Sequence, residues 1–417
     1  MSPEGLFADL AAKHRRMFWL DGGGARDWSG RRSLVGFLGE DDISLTYHAA
    51  TREVRRHTEH SVEVVGDDVF TSLEEEIARD HGDPEVSWVG YFGYACRPDL
   101  PATTGAAAPD AVWMRVRNPM IFDHTAPARP GSRPAMTGHG PDTSGEASYA
   151  AAYDRIQTQL RLGNTYEVNL TYREQIESAT DPVTAYLRLR ETSPAPYAGY
   201  LQHDGTSLLS SSPERFATID RDRWVETRPI KGTTPRGDTE AEDEEHRRSL
   251  GTERRYRAEN LMIVDLLRND LSMVCEPGTV TVPELMHVES YANVHQLVST
   301  VRGRLRPDIG TVGALRAIFP AGSMTGAPKL RTMEIIAEVE ATPRGVYAGA
   351  FGWISADGRA DLGVVIRSLV AIPSATATGH GYRYELGTGG GITVHSDAAS
   401  EFAETLWKSQ RLHGVLD

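Results

Sequence analysis

A lysine, a small set of glutamates and an arginine carry most of the chemistry that this sequence offers. Lys231 stands in Arg228-Pro229-Ile230-Lys231-Gly232-Thr233-Thr234-Pro235, between an apolar residue and a glycine. The two prolines stiffen the backbone and each removes a donor, and Gly232 permits a close approach or a sharp turn. A lysine held that way and partly desolvated loses proton affinity and becomes a nucleophile near neutral pH. The plain alternative is a surface lysine in a Pro/Gly loop. Glu214, in Ser212-Pro213-Glu214-Arg215-Phe216, follows a buried-looking strand. A carboxyl group in an apolar surround keeps its proton and can serve as a general acid; the alternative is a solvated glutamate at a strand end. Glu401 and Glu404 share one helix face and repel unless a cation bridges them. With Glu259, read in the first turn of another helix, they form a hard-oxygen set of the kind Mg²⁺ prefers, against the alternative of solvated helix faces. Arg367, read within a strand, could clamp a carboxylate with two hydrogen bonds. His295 fits either an acid/base group or a satisfied core histidine. The loop Gly322-Ser323-Met324-Thr325-Gly326-Ala327-Pro328-Lys329 opens a helix, so its amides favour an anion. Gly387-Thr388-Gly389-Gly390-Gly391 reads as a second amide-rich loop. Neither matches a P-loop or a dinucleotide fingerprint, which leaves nucleotide binding unsupported.

The elements that must position these groups follow from periodicity. In the first part, Gly5 to Arg16 and Phe70 to Asp80 have helical spacing. Phe18-Trp19-Leu20, Leu34 to Phe37 and Asp42 to Tyr47 read as strands, and Trp88 to Tyr94 as a glycine-rich aromatic strand or turn. Residues 124–148 are rich in Pro, Gly, Ala, Ser and Thr and read as a linker or exposed loop. They divide an N-terminal region, 1–123, from a second region, 149–417. There Tyr149 to Leu162 is a helix, and Thr165 to Tyr172 is a strand with Glu167, Asn169 and Thr171 on one face. Arg257 to Leu271 is a helix with Leu261, Val264, Leu267 and Leu271 in one stripe. Asp238 to Glu253 is a charged, exposed segment. Tyr291 to Val301, Val346 to Ile354, Gly363 to Ala371 and Tyr382 to Gly387 are strands, and Ala398 to Leu412 is a closing helix. The 417 residues carry 44 basic and 58 acidic side chains, a net charge of −14. That balance argues against a nucleic-acid partner, and an anionic substrate needs a locally positive site or a metal ion. Two cysteines without metal-ligand spacing suit a reducing cytoplasm. No long apolar run suggests a membrane span or a signal peptide.

In their order along the chain, these motifs resemble the chorismate-utilising enzymes. That family holds anthranilate synthase component I, aminodeoxychorismate synthase component I, and the isochorismate and salicylate synthases. The resemblance rests on Tyr166-Glu167-Val168-Asn169-Leu170, on Ser212 to Phe216, and on the Lys231 segment. It continues through Ala258-Glu259-Asn260-Leu261-Met262-Ile263-Val264-Asp265-Leu266-Leu267-Arg268-Asn269-Asp270, Gly326-Ala327-Pro328-Lys329, and Gly389 through Thr405. The family implies an α+β architecture of large antiparallel sheets packed face to face, with helices outside and the site in a cleft between them. It also implies Mg²⁺ held by Glu259 and Glu404 with Glu401 in support. Chorismate would be contacted by Arg367, Thr325, Gly326, Tyr347, Gly387, Gly389, Gly390, His295 and Lys408. In the isochorismate and salicylate branch a lysine stands in place of Glu167 and activates water, so that branch is not expected. Lys231 replaces an alanine usual in anthranilate synthases and in enzymes that stop at aminodeoxyisochorismate. This resembles the branch that aminates C4, with Lys231 attacking C2 and Glu214 protonating the departing hydroxyl. The sequence has no cysteine in a Gly-x-Cys-x-Gly setting, so ammonia is expected from a separate glutamine amidotransferase subunit. The implied product leads to p-aminobenzoate, for folate or for a specialised metabolite. Tyr256 stands where relatives carry an acidic residue, Gln296 where they carry leucine, and Gly22 where those with a tryptophan site carry serine. The alternatives are a C2-aminating enzyme of the same family and a non-catalytic binding subunit.

Overall fold

The computed structural model describes residues 3–24, 32–40, 42–124, 145–291, 294–376 and 379–417. Most of the expected linker lies outside the described residues. The rest builds two antiparallel sheets, of nine and twelve strands among the described residues. Alternate residues of their strands serve two different layers. Met17 and Trp19 face outward under helices, while Phe18 and Leu20 point between the sheets. In the larger sheet Val89 and Tyr91 point between the sheets, and Trp88 and Phe92 face the outer helices. Sheet meets sheet closely: a Cβ at Gly199 would lie 2.6 Å from the Phe351 ring. This double burial explains why strands such as Arg16–Asp21 and Val86–Phe92 are buried at successive residues rather than only at alternate ones. The α+β architecture of packed sheets with outer helices is as expected.

The division at 124–148 does not separate the sheets. Phe18 pairs with Leu201 and Gly90 with Gly352, so strands from both sides of the segment share each sheet. Strand edges left open by one region are thus closed by the other.

Several elements differ from expectation in ways that matter below. The lysine segment is a strand, Ile230–Pro235, paired with Val294–Arg304; its register slips between Ile230 and Thr233, at Lys231 and Gly232. Gly387 to Gly391 is the end of the strand Gly379–Ile392, paired with Glu167–Ser178. Arg367 lies between strands: Ala360–Val364 belongs to the larger sheet and Ser368–Thr376 to the smaller. Its φ of 50° turns the chain from one sheet to the other. Val346 to Gly349 precede their strand, which runs Ala350–Ser355. Asp238 to Glu253 contains the helix Glu240–Thr252, started by a capping box of Thr239 and Glu242. The helix expected from Arg257 begins at Arg254 and runs to Ser272, so Glu259 lies in its second turn. Leu261 faces solvent at 53% exposure; the buried stripe runs through Asn260, Ile263, Val264, Leu267 and Leu271. No helix among the described residues is long and apolar enough to cross a membrane.

Candidate active site

A cavity of about 150 Å³ opens where the two sheets exchange strands, beneath the helices Arg254–Ser272 and Ala398–His413. Lys231, Glu214, Glu259, Arg367, Tyr347, Gly387, Gly389, Gly390, Glu401, Glu404 and Lys408 all line it. His295 does not. Its ring is fully buried on the far side of its strand, with Nδ1 on Ser290 Oγ at 2.8 Å and Nε2 on Asp243 at 3.0 Å. Thr325 and Gly326 also stay out of the lining. Gly326 pairs with Val168 of the Glu167 strand, and Thr325 donates its amide to Gly322 O at 3.1 Å. Met324 likewise donates its amide to Ala321 O at 3.0 Å, so these two amides are taken up locally. The loop lends the cavity Met324 and also Ser323, which the sequence reading did not single out. Ser323 donates to Glu214 Oε1 at 2.5 Å. Lys329 clamps the loop from below, reaching Asp270 at 2.6 Å and the carbonyls of Ile318 and Pro320 at 2.9 and 3.0 Å.

Glu214 sits in the turn that leads to the strand Arg215–Ile219, 4% exposed. Burial raises its pKa to about 7, more than the Ser323 hydrogen bond and the Lys231 charge lower it. It is therefore a carboxylic acid poised to give up a proton near neutrality.

Lys231 donates to Glu167 Oε1, and both side chains are buried. Burial, the largest effect on Lys231, lowers its pKa, but Glu167, Glu259 and Glu214 together raise it above the ordinary lysine value. This reverses the direction expected from desolvation alone: the lysine rests protonated against a carboxylate. Glu167 Oε2 has no hydrogen-bond partner among the described residues, so the pair holds a free acceptor at its inner end. Gly391 makes room for it. A Cβ there would lie 2.3 Å from Glu167 Oε1 and 3.2 Å from Lys231 Nζ. Gly391→Ala is accordingly expected to lower stability by about 1–3 kcal/mol, read by thermal denaturation. It is also expected to lower activity, because the lysine and its carboxylate must part. Gly387 obeys the same rule for another neighbour, since a Cβ would sit 2.2 Å from the Tyr347 ring. Gly232, at φ +90°, turns the backbone beside Lys231 against Tyr256.

Positive charge gathers at one end of the cavity. No ion pair to Arg367 occurs among the described residues. Burial and the nearby Arg411 lower its pKa to about 10, so the guanidinium favours an anionic guest. At the other end stand the three glutamates. Arg255 joins two of them, with Nε 3.2 Å from Glu259 and Nη2 2.7 Å from Glu401. Lys408 holds the third, Glu404, at 2.7 Å and also donates to Gly389 O at 2.9 Å. Among the described residues no three side chains of the metal-ligating types are close enough to hold an ion as they stand. Two carboxylates from different helices gripping one guanidinium nevertheless mark a concentration of negative potential, and hard oxygens on that spot fit a divalent cation such as Mg²⁺.

A Cβ on Gly22 would meet the Arg32 carbonyl oxygen at 2.4 Å. A serine would displace the neighbouring strand there.

The family model of chorismate binding enzymes matches residues 18–414. The chain belongs to that family. It is 38% identical to an aminodeoxychorismate synthase of Streptomyces pristinaespiralis, over 97% of this chain and 62% of that protein. It is also 35% identical to an anthranilate synthase component 1 of Streptomyces coelicolor, over 91% of this chain and 83% of that one. The crystal structure of anthranilate synthase component I from Streptococcus pneumoniae shares the fold, with a TM-score of 0.75 and 24% identity over 99% of this chain and 97% of that one. The chain spans about three-fifths of the length of the two Streptomyces aminodeoxychorismate synthases it matches, 62% and 61%.

Proposed function

We propose that the cavity binds chorismate and aminates it at C4, giving 4-amino-4-deoxychorismate, as an aminodeoxychorismate synthase component I. The observation that supports this most directly is Lys231, presented in the cavity with Glu214 and backed by Glu167. The substrate's carboxylates would lie toward Arg367 at one end and toward the glutamates at the other. Mg²⁺ held by Glu259 and Glu404, with Glu401 in support, would offset the charge of the ring carboxylate. The remaining work belongs to the side chains. Lys231 passes one proton to Glu167 and forms a bond from Nζ to C2. The ring double bonds shift, and the C4 hydroxyl leaves as water with the proton of Glu214. Ammonia adds at C4, the bonds shift back, and the C2–N bond breaks as Lys231 departs. The proton released from the new C4 ammonium returns to Glu214, and Lys231 recovers its own from Glu167. Ammonia would come from a separate glutamine amidotransferase subunit, and the reaction belongs to p-aminobenzoate formation in the cytoplasm.

The likeness to an anthranilate synthase over most of both chains keeps C2 amination as the second reading. Product analysis separates the two. With chorismate, Mg²⁺ and ammonium, the C4 reading expects an aminated product that retains the enolpyruvyl group and yields p-aminobenzoate when a lyase is added. Anthranilate or a C2-aminated product would overturn it.

A further inference from the structure

We propose that Arg255 is the resident cation of the acidic end of the cavity, which a divalent ion must displace to bind. The inference rests on the reading that Glu259 and Glu404, with Glu401 in support, hold Mg²⁺. Arg255 lies one turn before Glu259 on the same helix and reaches it with Nε. The far edge of its guanidinium crosses to Glu401 on the closing helix. The Glu401 side chain is only 2% exposed, and a carboxylate buried to that degree is costly unless something neutralises it. With no ion bound, Arg255 does so.

The same side chain is free to leave. Arg255 is 43% exposed, so its guanidinium can turn to solvent without disturbing packed core. Lys408 is held more firmly, being tied to the Gly389 carbonyl as well as to Glu404. A guanidinium and a divalent cation repel when both touch the same carboxylates. Metal binding therefore selects the fraction of molecules in which Arg255 has swung away, and the apparent affinity is reduced by that fraction. The arginine keeps the ion-free site folded at the expense of a weaker grip on the metal.

Titration calorimetry with MgCl₂ on the full chain, at fixed ionic strength and without chorismate, tests this. Arg255→Gln is expected to bind Mg²⁺ about tenfold more tightly than the unaltered protein. Its melting temperature without metal should be lower, and the rise on adding Mg²⁺ larger. Arg255→Lys keeps the charge but cannot span both carboxylates, so its affinity should fall between the two; it serves if the glutamine variant does not fold. Unchanged or weaker Mg²⁺ binding in both variants would overturn the proposal. Failure of the underlying reading looks different: Mg²⁺ binding that survives Glu259→Gln and Glu404→Gln would place the metal elsewhere and remove the basis for the competition.

Discussion

Lys231→Ala is expected to reduce C4 amination by at least about 10³-fold, because it removes the group that forms the bond to C2. Chorismate should still bind, since Arg367 and the glutamates are untouched. The loss should therefore fall on kcat rather than on KM. Intact-protein mass spectrometry of the unaltered chain with chorismate and no ammonia should show an adduct of chorismate less water, absent from the variant. Thermal denaturation in parallel distinguishes a folded, inactive protein from an unfolded one. Unchanged amination by the folded variant would remove Lys231 from the mechanism.

Glu214→Gln should slow the reaction by about 10²–10⁴-fold, the usual contribution of a positioned acid. The pH profile carries the more specific signature. The acid acts in its protonated form, and burial sets its pKa at about 7. Activity of the unaltered protein should therefore fall as pH rises through that value, and this limb should vanish in the variant. The protein's stability should fall over the same range. A carboxyl whose pKa is raised on folding contributes stability that is complete below its unfolded value, about 4.5, and is lost as pH rises through about 7. Glutamine has no charge to bury. The variant should thus be more stable than the unaltered protein at pH 8, by up to about 3 kcal/mol, with the difference shrinking toward pH 4. Denaturation at both pH values measures it. A difference between the two proteins that is the same at both pH values would mean that Glu214 is not a buried acid.

These two expectations rest on residues visible in the sequence, but their surroundings were not visible there. The Ser-Pro-Glu-Arg-Phe and Pro-Ile-Lys-Gly segments mark Glu214 and Lys231 by local chemistry, and the cavity contains both. Ser323 had no such mark, since a serine among glycines is ordinary loop composition; only the fold sets it against Glu214. Arg255 was hidden because charged residues on a helix usually face water, and its meaning depends on a glutamate 146 residues away. The glycines at 387–391 suggested a loop because glycine weakens strands. They instead end a strand, and they are glycines there because Tyr347, Glu167 and Lys231 occupy the space where side chains would be. His295 has the right type but the wrong side of its strand, and strand periodicity alone does not name the inner face.

The sequence by itself determined the order and type of most elements, the family motifs, and the identities of the lysine, the acid and the three acidic ligand candidates, because these depend on local pattern. Tertiary structure alone decided how the two halves interleave in shared sheets, because strand pairing joins residues far apart in the chain. It also decided that Arg367 turns the chain between those sheets and that Lys231 rests protonated. Desolvation by itself would have lowered the proton affinity of that lysine. Carboxylates brought in from other strands and helices, Glu167 above all, reverse the sign.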